Sequence, residues 1–186
     1  MTNSTPGILI LAAGKGARYL ASGGSGNKLL TPHAGQKTVI ETVIAQARLS
    51  GLPVALVTRP DAIAVRQHAE QAGVPVVLCD SHGSGESIAA GVAMTGDWQG
   101  WIITLGDMPW LTVQHYRQVM TALAQGAVQV RLTHRGQPGH PVGFNHTFAD
   151  ALRDLRGDEG ARSLLNPTLL LTLEADAAVH RDIDVV

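Results

Sequence analysis

Residues 8–18 read Ile8-Leu9-Ile10-Leu11-Ala12-Ala13-Gly14-Lys15-Gly16-Ala17-Arg18, an apolar strand that runs directly into a glycine loop carrying cations. Glycine lets the backbone turn with positive φ and brings N–H groups close to an anion. Lysine and arginine supply positive charge to the same loop. The stretch therefore predicts a phosphate-binding loop at the end of a buried strand.

The spacing of this loop disfavours two common nucleotide-binding motifs. Tyr19 stands where the dinucleotide fingerprint G-x-G-x-x-G requires its third glycine, and the P-loop pattern G-x-x-x-x-G-K-[ST] is absent from the chain. A dinucleotide-dependent oxidoreductase and a P-loop kinase are both disfavoured. The alternative of a glycine turn with a purely structural role stays open at this point.

Short apolar runs recur after the first one and predict an open α/β sheet. Together with residues 8–11 they occupy residues 54–57, 74–78 and 101–105, and stretches of helical character occupy residues 39–49, 61–72, 86–94 and 113–123. Apolar strands separated by helices are typical of a parallel sheet covered on both faces. Ligands of such sheets bind outside the carboxyl ends of the strands, so the Gly14 loop, Asp80 and Asp107 are expected along one edge.

The second half of the chain has a different pattern. Residues 127–133 and 142–144 are predicted strands on either side of a polar loop at 134–141, and they would add antiparallel strands to the sheet. Helices are predicted near 145–153 and 160–165. The chain has 186 residues and no linker, which predicts a single domain over residues 1–186.

Composition excludes several classes of protein. A net charge of -1 gives no basic field for nucleic acid, and Cys79, the only cysteine, permits no internal disulfide or cysteine-based zinc cluster. The first residues lack the pattern of a signal peptide, and no apolar run approaches membrane-spanning length. We expect a cytoplasmic protein that binds neither nucleic acid nor membranes.

Asp107, in Leu105-Gly106-Asp107-Met108-Pro109, follows a predicted buried strand. Aspartate at such a position often caps the next helix. Beside a phosphate loop it could instead anchor a magnesium ion, which proteins hold through one or two carboxylates and which would neutralise phosphate charge. The aspartates of Asp182-Ile183-Asp184 form either a solvated end of the chain or a second carboxylate for the same site.

Two further polar segments adjoin predicted helices. Residues 80–87 are rich in glycine and serine, so they offer N–H and hydroxyl groups to a ligand or an ordinary N-cap at Ser84. Residues 157–162 read Gly157-Asp158-Glu159-Gly160-Ala161-Arg162 and could be only the start of a helix. The histidines, among them His140, show no paired metal-ligand spacing.

In this order, the motifs of the chain resemble those of the molybdenum cofactor cytidylyltransferase family. They are Leu11-Ala12-Ala13-Gly14-Lys15-Gly16-Ala17-Arg18, Asn27-Lys28-Leu29-Leu30, residues 83–92, Leu105-Gly106-Asp107-Met108-Pro109, Gly139-His140-Pro141-Val142, residues 157–162 and Asp182-Ile183-Asp184. The first motif is shared with many nucleotidyltransferases, whereas the second, fifth and sixth are more particular. Guanylyltransferase relatives usually carry Leu-Ala-Gly-Gly where this chain has Leu-Ala-Ala-Gly, which favours CTP over GTP.

The resemblance implies a Rossmann-like three-layer α/β/α sandwich like that of the nucleotide-diphospho-sugar transferases. Its sheet would be mostly parallel, with an antiparallel addition in the C-terminal half. The N-terminal half would bind CTP with Mg²⁺ and the C-terminal half a molybdopterin. The implied reaction transfers CMP to the terminal phosphate of the pterin and releases pyrophosphate, and a molybdoenzyme that receives the product is a further expected partner.

The resemblance also assigns roles to individual residues. Lys28, Arg18 and Asp107 would be catalytic, and Asp107 and Asp184 would bind the metal, with Asp184 preferred to Asp182. The nucleotide would contact Ala12, Ala13, Gly14, Lys15, Gly16, Ser84 and Ser87. The acceptor would contact Gly139, His140 and Arg162.

The chain departs from the family pattern in the loop between Arg18 and Lys28. The insert Ala21-Ser22-Gly23-Gly24-Ser25-Gly26 separates these cations more widely than in relatives and lengthens a loop that must lose conformational entropy on closing. Two alternatives therefore stay open. One is a related transferase that uses GTP or another phosphorylated acceptor, and the other is a non-catalytic nucleotide- or pterin-binding carrier for a molybdoenzyme.

Overall fold

The computed structural model describes residues 5–14, 27–33, 35–80 and 83–183. In these parts of the chain, the strands form a seven-stranded sheet with the order β3-β2-β1-β4-β6-β5-β7. The strands are β1 (Gly7–Ala12), β2 (Val54–Thr58), β3 (Val76–Leu78), β4 (Gly100–Leu105), β5 (Gln129–His134), β6 (Gln137–Asn145) and β7 (Leu170–Glu174).

The helices lie between the strands of the first half and after β6 in the second. They are α1 (Val39–Leu49), α2 (Ile63–Gln71), α3 (Ser84–Met94), α4 (Val113–Ala124) and α5 (Ala149–Arg153), with short 3₁₀ turns at Lys28–Leu30, His146–Phe148, Gly160–Leu164 and Ala177–His180. Helix α1 begins at a capping box in which Thr38 and Glu41 satisfy each other's backbone N–H groups. No helix in the described ranges is both long and apolar enough to cross a membrane.

The sheet is mostly parallel, as predicted. Strand β1 pairs in parallel with β2 and with β4, and β7 pairs in parallel with β5. Strand β6 lies between β4 and β5 and is antiparallel to both. The order of strands reverses between β1 and β4, because β2 and β3 extend the sheet to one side of β1 while β4 begins the other side.

Helices cover both faces of the sheet and complete three layers. Along β1, Ile8 and Ile10 enter the core beneath α1, α2 and α4, whereas Leu9 enters the core beneath α3 and α5. This alternation follows from the two-residue period of a strand. The structure confirms the predicted three-layer α/β/α sandwich.

The second half differs from the sequence-based prediction in its details. The predicted loop at 134–141 is mostly strand, because Arg135 and Gly136 alone form the turn of a tight hairpin, with φ values of 51° and 76°. Strand β7 was not predicted. It lies at the sheet edge beside β5, and the partly exposed Leu171 shows that its apolar side chains do not form a continuous buried run.

Candidate active site

The carboxyl ends of β1 and β4 lie side by side where the strand order reverses. The N–H of Gly106 donates to the carbonyl oxygen of Leu11 at 2.9 Å, which ties the turn after β4 to the end of β1. Ala12 is therefore next to the turn that carries Asp107, since its Cβ would lie 3.3 Å from a Cβ placed on Gly106. Buried Ala13 and exposed Gly14 follow at the same end of β1. In open α/β sheets this position is where ligands bind.

Lys28 and Asp107 form an ion pair at this position. The Nζ of Lys28 lies 2.8 Å from Oδ2 of Asp107, and each side chain is only 16% exposed. The turn that carries Lys28 is fixed from both sides, because the Asn27 side chain accepts a hydrogen bond from the N–H of Leu29 and the Leu29 side chain is buried in the core. The Asn27-Lys28-Leu29 turn thus places the Lys28 ammonium group next to Asp107, just after the end of β4.

The two carboxylate oxygens of Asp107 differ in their surroundings. Oδ1 is buried and accepts no hydrogen bond from the described residues. Leaving a carboxylate oxygen buried and unsatisfied is costly, and oxygen is the ligand that Mg²⁺ prefers. Asp107 thus fits a divalent cation, although the described ranges contain no group of three or more His, Cys, Asp or Glu residues suited to a metal.

The last described residues of the chain lie against the loop that contains Asp107. The N–H of Ile183 donates to the carbonyl oxygen of Asp107 at 2.8 Å, so the Asp-Ile-Asp motif begins beside the candidate metal ligand. The guanidinium of Arg181 lies 3.8 Å from the centre of the Trp110 ring, and the rings of Trp110 and His33 are nearly perpendicular with their centroids 5.1 Å apart. Through these contacts, Arg181 packs residues 181–183 against Trp110, in the loop that follows Asp107.

Some residues with predicted roles fall in parts of the chain that the structure does not describe. Lys15, Gly16, Arg18 and Asp184 lie outside the described residues, and their roles stay predictions.

The start of α3 packs against the Gly157–Arg162 motif. The N–H of Gly85 donates to the carbonyl oxygen of Gly157 at 2.9 Å, and the Ser84 hydroxyl donates to the carbonyl oxygen of Asp158 at 3.2 Å. A Cβ atom on Gly85 would lie 2.8 Å from the Gly157 oxygen, which explains the glycine. The Ser87 side chain is buried and lies within the first turn of the helix. Neither motif predicts this contact, because Ser84 and Asp158 lie 74 residues apart in the chain.

Strand β6 carries Gly139 and His140 toward the edge of the sheet that holds Asp107. Val142 pairs with Ile103 in an antiparallel register, so the residues before Val142 run toward the carboxyl end of β4. A Cβ atom on Gly139 would lie 2.4 Å from the carbonyl oxygen of Val179, which makes this glycine necessary for the close approach of the Ala177–His180 turn.

Arg131 is a third basic residue near His140 and Arg162, and the sequence analysis did not identify it. Its Nε donates to the carbonyl oxygen of Gly139 at 3.1 Å. The side chain of Gln129, two residues earlier on the same face of β5, donates to the carbonyl oxygen of Leu164 at 2.6 Å and so anchors the turn that contains Arg162. The signal that could have identified Arg131 is a charged residue between the apolar residues Val130 and Leu132 of a predicted strand.

Burial and mutual repulsion shift the pKa values in this basic group. Desolvation lowers the pKa of Arg131, and the positive charge of Arg162 lowers it further. Burial lowers the pKa of His140 to about 4, with a smaller contribution from Arg131. His140 is therefore a neutral imidazole near pH 7.

Arg59 is a second basic residue that the sequence did not single out. It follows β2, and its Nη2 lies 3.1 Å from the carboxylate of Asp80, which confirms that Asp80 reaches this edge of the sheet. Thr58 fixes the position, since its hydroxyl donates to the carbonyl oxygen of Ala12 at 2.9 Å. The Nη1 group of Arg59 is buried and has no hydrogen-bond partner among the described residues.

Comparison with known proteins agrees with this geometry. Residues 8–176 match the family model of the MobA-like NTP transferase domain. The bifunctional protein GlmU of Bradyrhizobium sp. (strain ORS 278) is 27% identical over 154 residues, which cover 81% of this chain and 33% of that protein. The chain thus spans about a third of the length of this curated relative.

Solved structures share the fold over nearly the whole chain. Rv0371c from Mycobacterium tuberculosis H37Rv has a TM-score of 0.84 at 25% identity, covering 100% of this chain and 95% of that one, and another structure of that protein is a complex with manganese. A CMP:2-keto-3-deoxy-manno-octonic acid synthetase complexed with CTP has a TM-score of 0.74 at 14% identity, covering 98% and 94%. The molybdopterin-guanine dinucleotide biosynthesis protein A of Archaeoglobus fulgidus has a TM-score of 0.63 at 18% identity, covering 90% and 82%.

Proposed function

Since the chain belongs to the MobA-like NTP transferase family, we propose that it transfers CMP from CTP to the terminal phosphate of a molybdopterin and releases pyrophosphate. Family membership makes the protein a nucleotidyltransferase, and the structural neighbours share its fold. The choice of CTP, of a molybdopterin acceptor and of Mg²⁺ is the proposed part.

In the proposed reaction, an oxygen of the acceptor phosphate attacks the α-phosphorus of CTP. A new phosphorus–oxygen bond joins the two phosphates as the bond between the α-phosphorus and the bridging oxygen breaks, and the electron pair of that bond leaves with pyrophosphate. Such a displacement needs positioned substrates and neutralised charge more than a protein nucleophile. A site made of glycine, lysine, arginine and aspartate suits that requirement.

The ion pair between Lys28 and Asp107 is the observation that carries the proposal. It brings a cation and a carboxylate within 2.8 Å at the position where the strand order reverses, and both side chains are largely removed from water. Low exposure strengthens electrostatic interactions with phosphate oxygens. Lys28 would stabilise the charge on the α-phosphate and on the departing pyrophosphate.

Asp107 is the proposed metal ligand because its Oδ1 is buried without a partner among the described residues. Asp184 is the proposed second ligand, since Ile183 is hydrogen-bonded to the backbone of Asp107. A bound Mg²⁺ would neutralise phosphate charge. The manganese complex of Rv0371c supports a divalent metal in this fold.

The nucleotide is proposed to lie at the end of β1, in contact with Ala12, Ala13, Gly14, Lys15 and Gly16 and with Ser84 and Ser87 at the start of α3. The small side chains of Ala12 and Ala13 let a base approach the backbone closely. CTP bound to a structural neighbour is consistent with this choice of base.

The acceptor is proposed to contact Gly139, His140 and Arg162. A molybdopterin acceptor matches the name of the Archaeoglobus neighbour, a molybdopterin-guanine dinucleotide biosynthesis protein, and the guanine in that name makes GTP the alternative nucleotide. A molybdoenzyme would receive the product, and we propose that the reaction takes place in the cytoplasm.

The test is an assay of pyrophosphate release with each nucleoside triphosphate, molybdopterin and Mg²⁺. We expect turnover with CTP, and loss of turnover in Asp107→Ala with the fold retained by circular dichroism. The control is Asp97→Ala, at an exposed aspartate in the turn before β4. Turnover with GTP but not CTP would refute the choice of base, and turnover only with another phosphorylated acceptor would refute molybdopterin.

A further inference from the structure

Arg131 and Arg162 bring positive charge together, and within the described ranges no carboxylate forms an ion pair with either of them. The charge of Arg162 is close enough to lower the pKa of half-buried Arg131, after the larger effect of desolvation. Folding thus keeps two like charges close together, and a bound anion would remove that cost.

Hydrogen bonds fix the position of the Arg131 guanidinium and of the turn that carries Arg162. Gly139 accepts a hydrogen bond from Nε of Arg131 at 3.1 Å, and neither Nη group has a hydrogen-bond partner among the described residues. Gln129 holds the turn of Arg162 against the same face of β5 through hydrogen bonds to Leu164 and Asn166. Two Nη groups in one plane match two oxygens of a phosphate.

The surroundings connect this pair to both ends of the site. Gly157 and Asp158, which precede Arg162, are hydrogen-bonded to the start of α3, where the nucleotide is proposed to lie. On the other side, His140 follows the glycine that accepts from Arg131, on the strand that pairs with β4 and runs toward Asp107. The turn of Arg162 is thus linked to the start of α3, and Arg131 is linked to β6 next to His140.

We infer that Arg131 and Arg162 form a binding site for a phosphomonoester, the terminal phosphate of the acceptor, with Arg131 as its bidentate ligand. This inference rests on the proposed function, because it assigns the acceptor phosphate rather than a phosphate of the nucleotide. Neutral His140 contributes a hydrogen bond instead of a charge. The site holds the attacking phosphate and selects acceptors that carry an unesterified terminal phosphate.

The first test uses inorganic phosphate as the probe, titrated by calorimetry with and without saturating Mg-CTP, which fills the nucleotide loop. We expect the wild-type protein to bind phosphate under both conditions. Arg131→Gln and Arg162→Gln should each weaken binding about 10- to 100-fold, and Arg131→Lys should fall between them and the wild type. Arg135→Gln, at an exposed arginine in the turn of the same hairpin, is the matched control and should bind as the wild type does.

Phosphate binding that is unchanged in both glutamine variants would overturn the inference, as would a wild-type protein that binds no phosphate with Mg-CTP present. If Arg131→Gln fails to fold, Arg162→Gln alone decides the test, because Arg162 is exposed and its substitution should leave the fold intact.

Kinetics provide the second test. The glutamine variants should raise KM for molybdopterin about 10- to 100-fold while KM for CTP stays within about twofold. An equal rise in KM for CTP would place the arginines in the nucleotide site and overturn the inference. If the wild-type protein turns over no CTP, the proposed function fails, and the phosphate titration still decides whether the anion site exists.

Discussion

The N–H of Ile183 donates to the carbonyl oxygen of Asp107 at 2.8 Å, joining the end of the described chain to the loop after β4. Ile183 also packs against the core beneath α1 and α4. The backbone of the Asp-Ile-Asp motif is therefore hydrogen-bonded to the backbone of the candidate metal ligand. Ile183, the residue that makes this hydrogen bond, lies between Asp182 and Asp184 in the sequence.

We expect Asp184→Asn to weaken the apparent affinity for Mg²⁺ by at least about tenfold, because it removes the proposed second carboxylate. The measurement is the Mg²⁺ dependence of pyrophosphate release at saturating CTP. Asp182→Asn is the matched control and should leave that dependence within about twofold. A larger effect in Asp182→Asn than in Asp184→Asn would reverse the assignment.

Lys28→Gln should lower kcat about 10²- to 10³-fold, because a cation next to a developing phosphate charge is removed from a largely water-excluded position. Lys37→Gln serves as the control, since Lys37 is exposed before α1. Steady-state kinetics with CTP give the comparison. A Lys28→Gln enzyme with kcat within twofold of the wild type would remove Lys28 from the chemical step.

Gly85→Ala should destabilise the protein by about 1–3 kcal/mol, since its Cβ would press on the Arg156 and Gly157 carbonyl oxygens. Gly96→Ala is the control, because a Cβ atom there meets nothing within 4 Å, and it should change the free energy of unfolding by less than about 0.5 kcal/mol. Urea unfolding measures both variants. Equal free energies of unfolding of the two variants would show that residues 156–158 can move away from the added Cβ at no cost in stability.

The neutral state of His140 predicts a pH dependence of stability. Its pKa falls from 6.5 in the unfolded chain to about 4 in the fold, mainly through burial. Between these values the unfolded state binds more protons, so the free energy of unfolding decreases as pH falls from 6.5 toward 4. Stability curves should show a shallower decrease over this window in His140→Gln. Identical slopes for the variant and the wild type would contradict a buried neutral imidazole.

Local patterns were sufficient to predict the first half of the fold. Continuous apolar runs identified β1, β2 and β4, and the predicted helix at 39–49 coincides with α1. The edge containing Asp80 and Asp107 followed from the rule for parallel strands. These features depend on contacts within a strand or between successive elements, which a sequence records directly.

Features that depend on distant contacts were not predictable. Strand β7 exists because its backbone pairs with β5, and its side chains are largely exposed, so no apolar run marks it. The role of Arg131 depends on Gln129, which anchors a turn far along the chain at Leu164. The contact between Gly85 and Gly157 likewise joins two motifs that are separated along the chain by β4, β5 and β6.

The position of β6 between β4 and β5 has a consequence for synthesis on the ribosome. Among the described strands, β5 hydrogen-bonds only to β6 and β7, which both follow it in the chain. The backbone of β5 therefore has no strand partner in the nascent chain until β6 has emerged and inserted beside β4. A chain of which β5 but not β6 has left the ribosome carries a strand with two unpaired edges, and unpaired strand edges make such intermediates prone to aggregation.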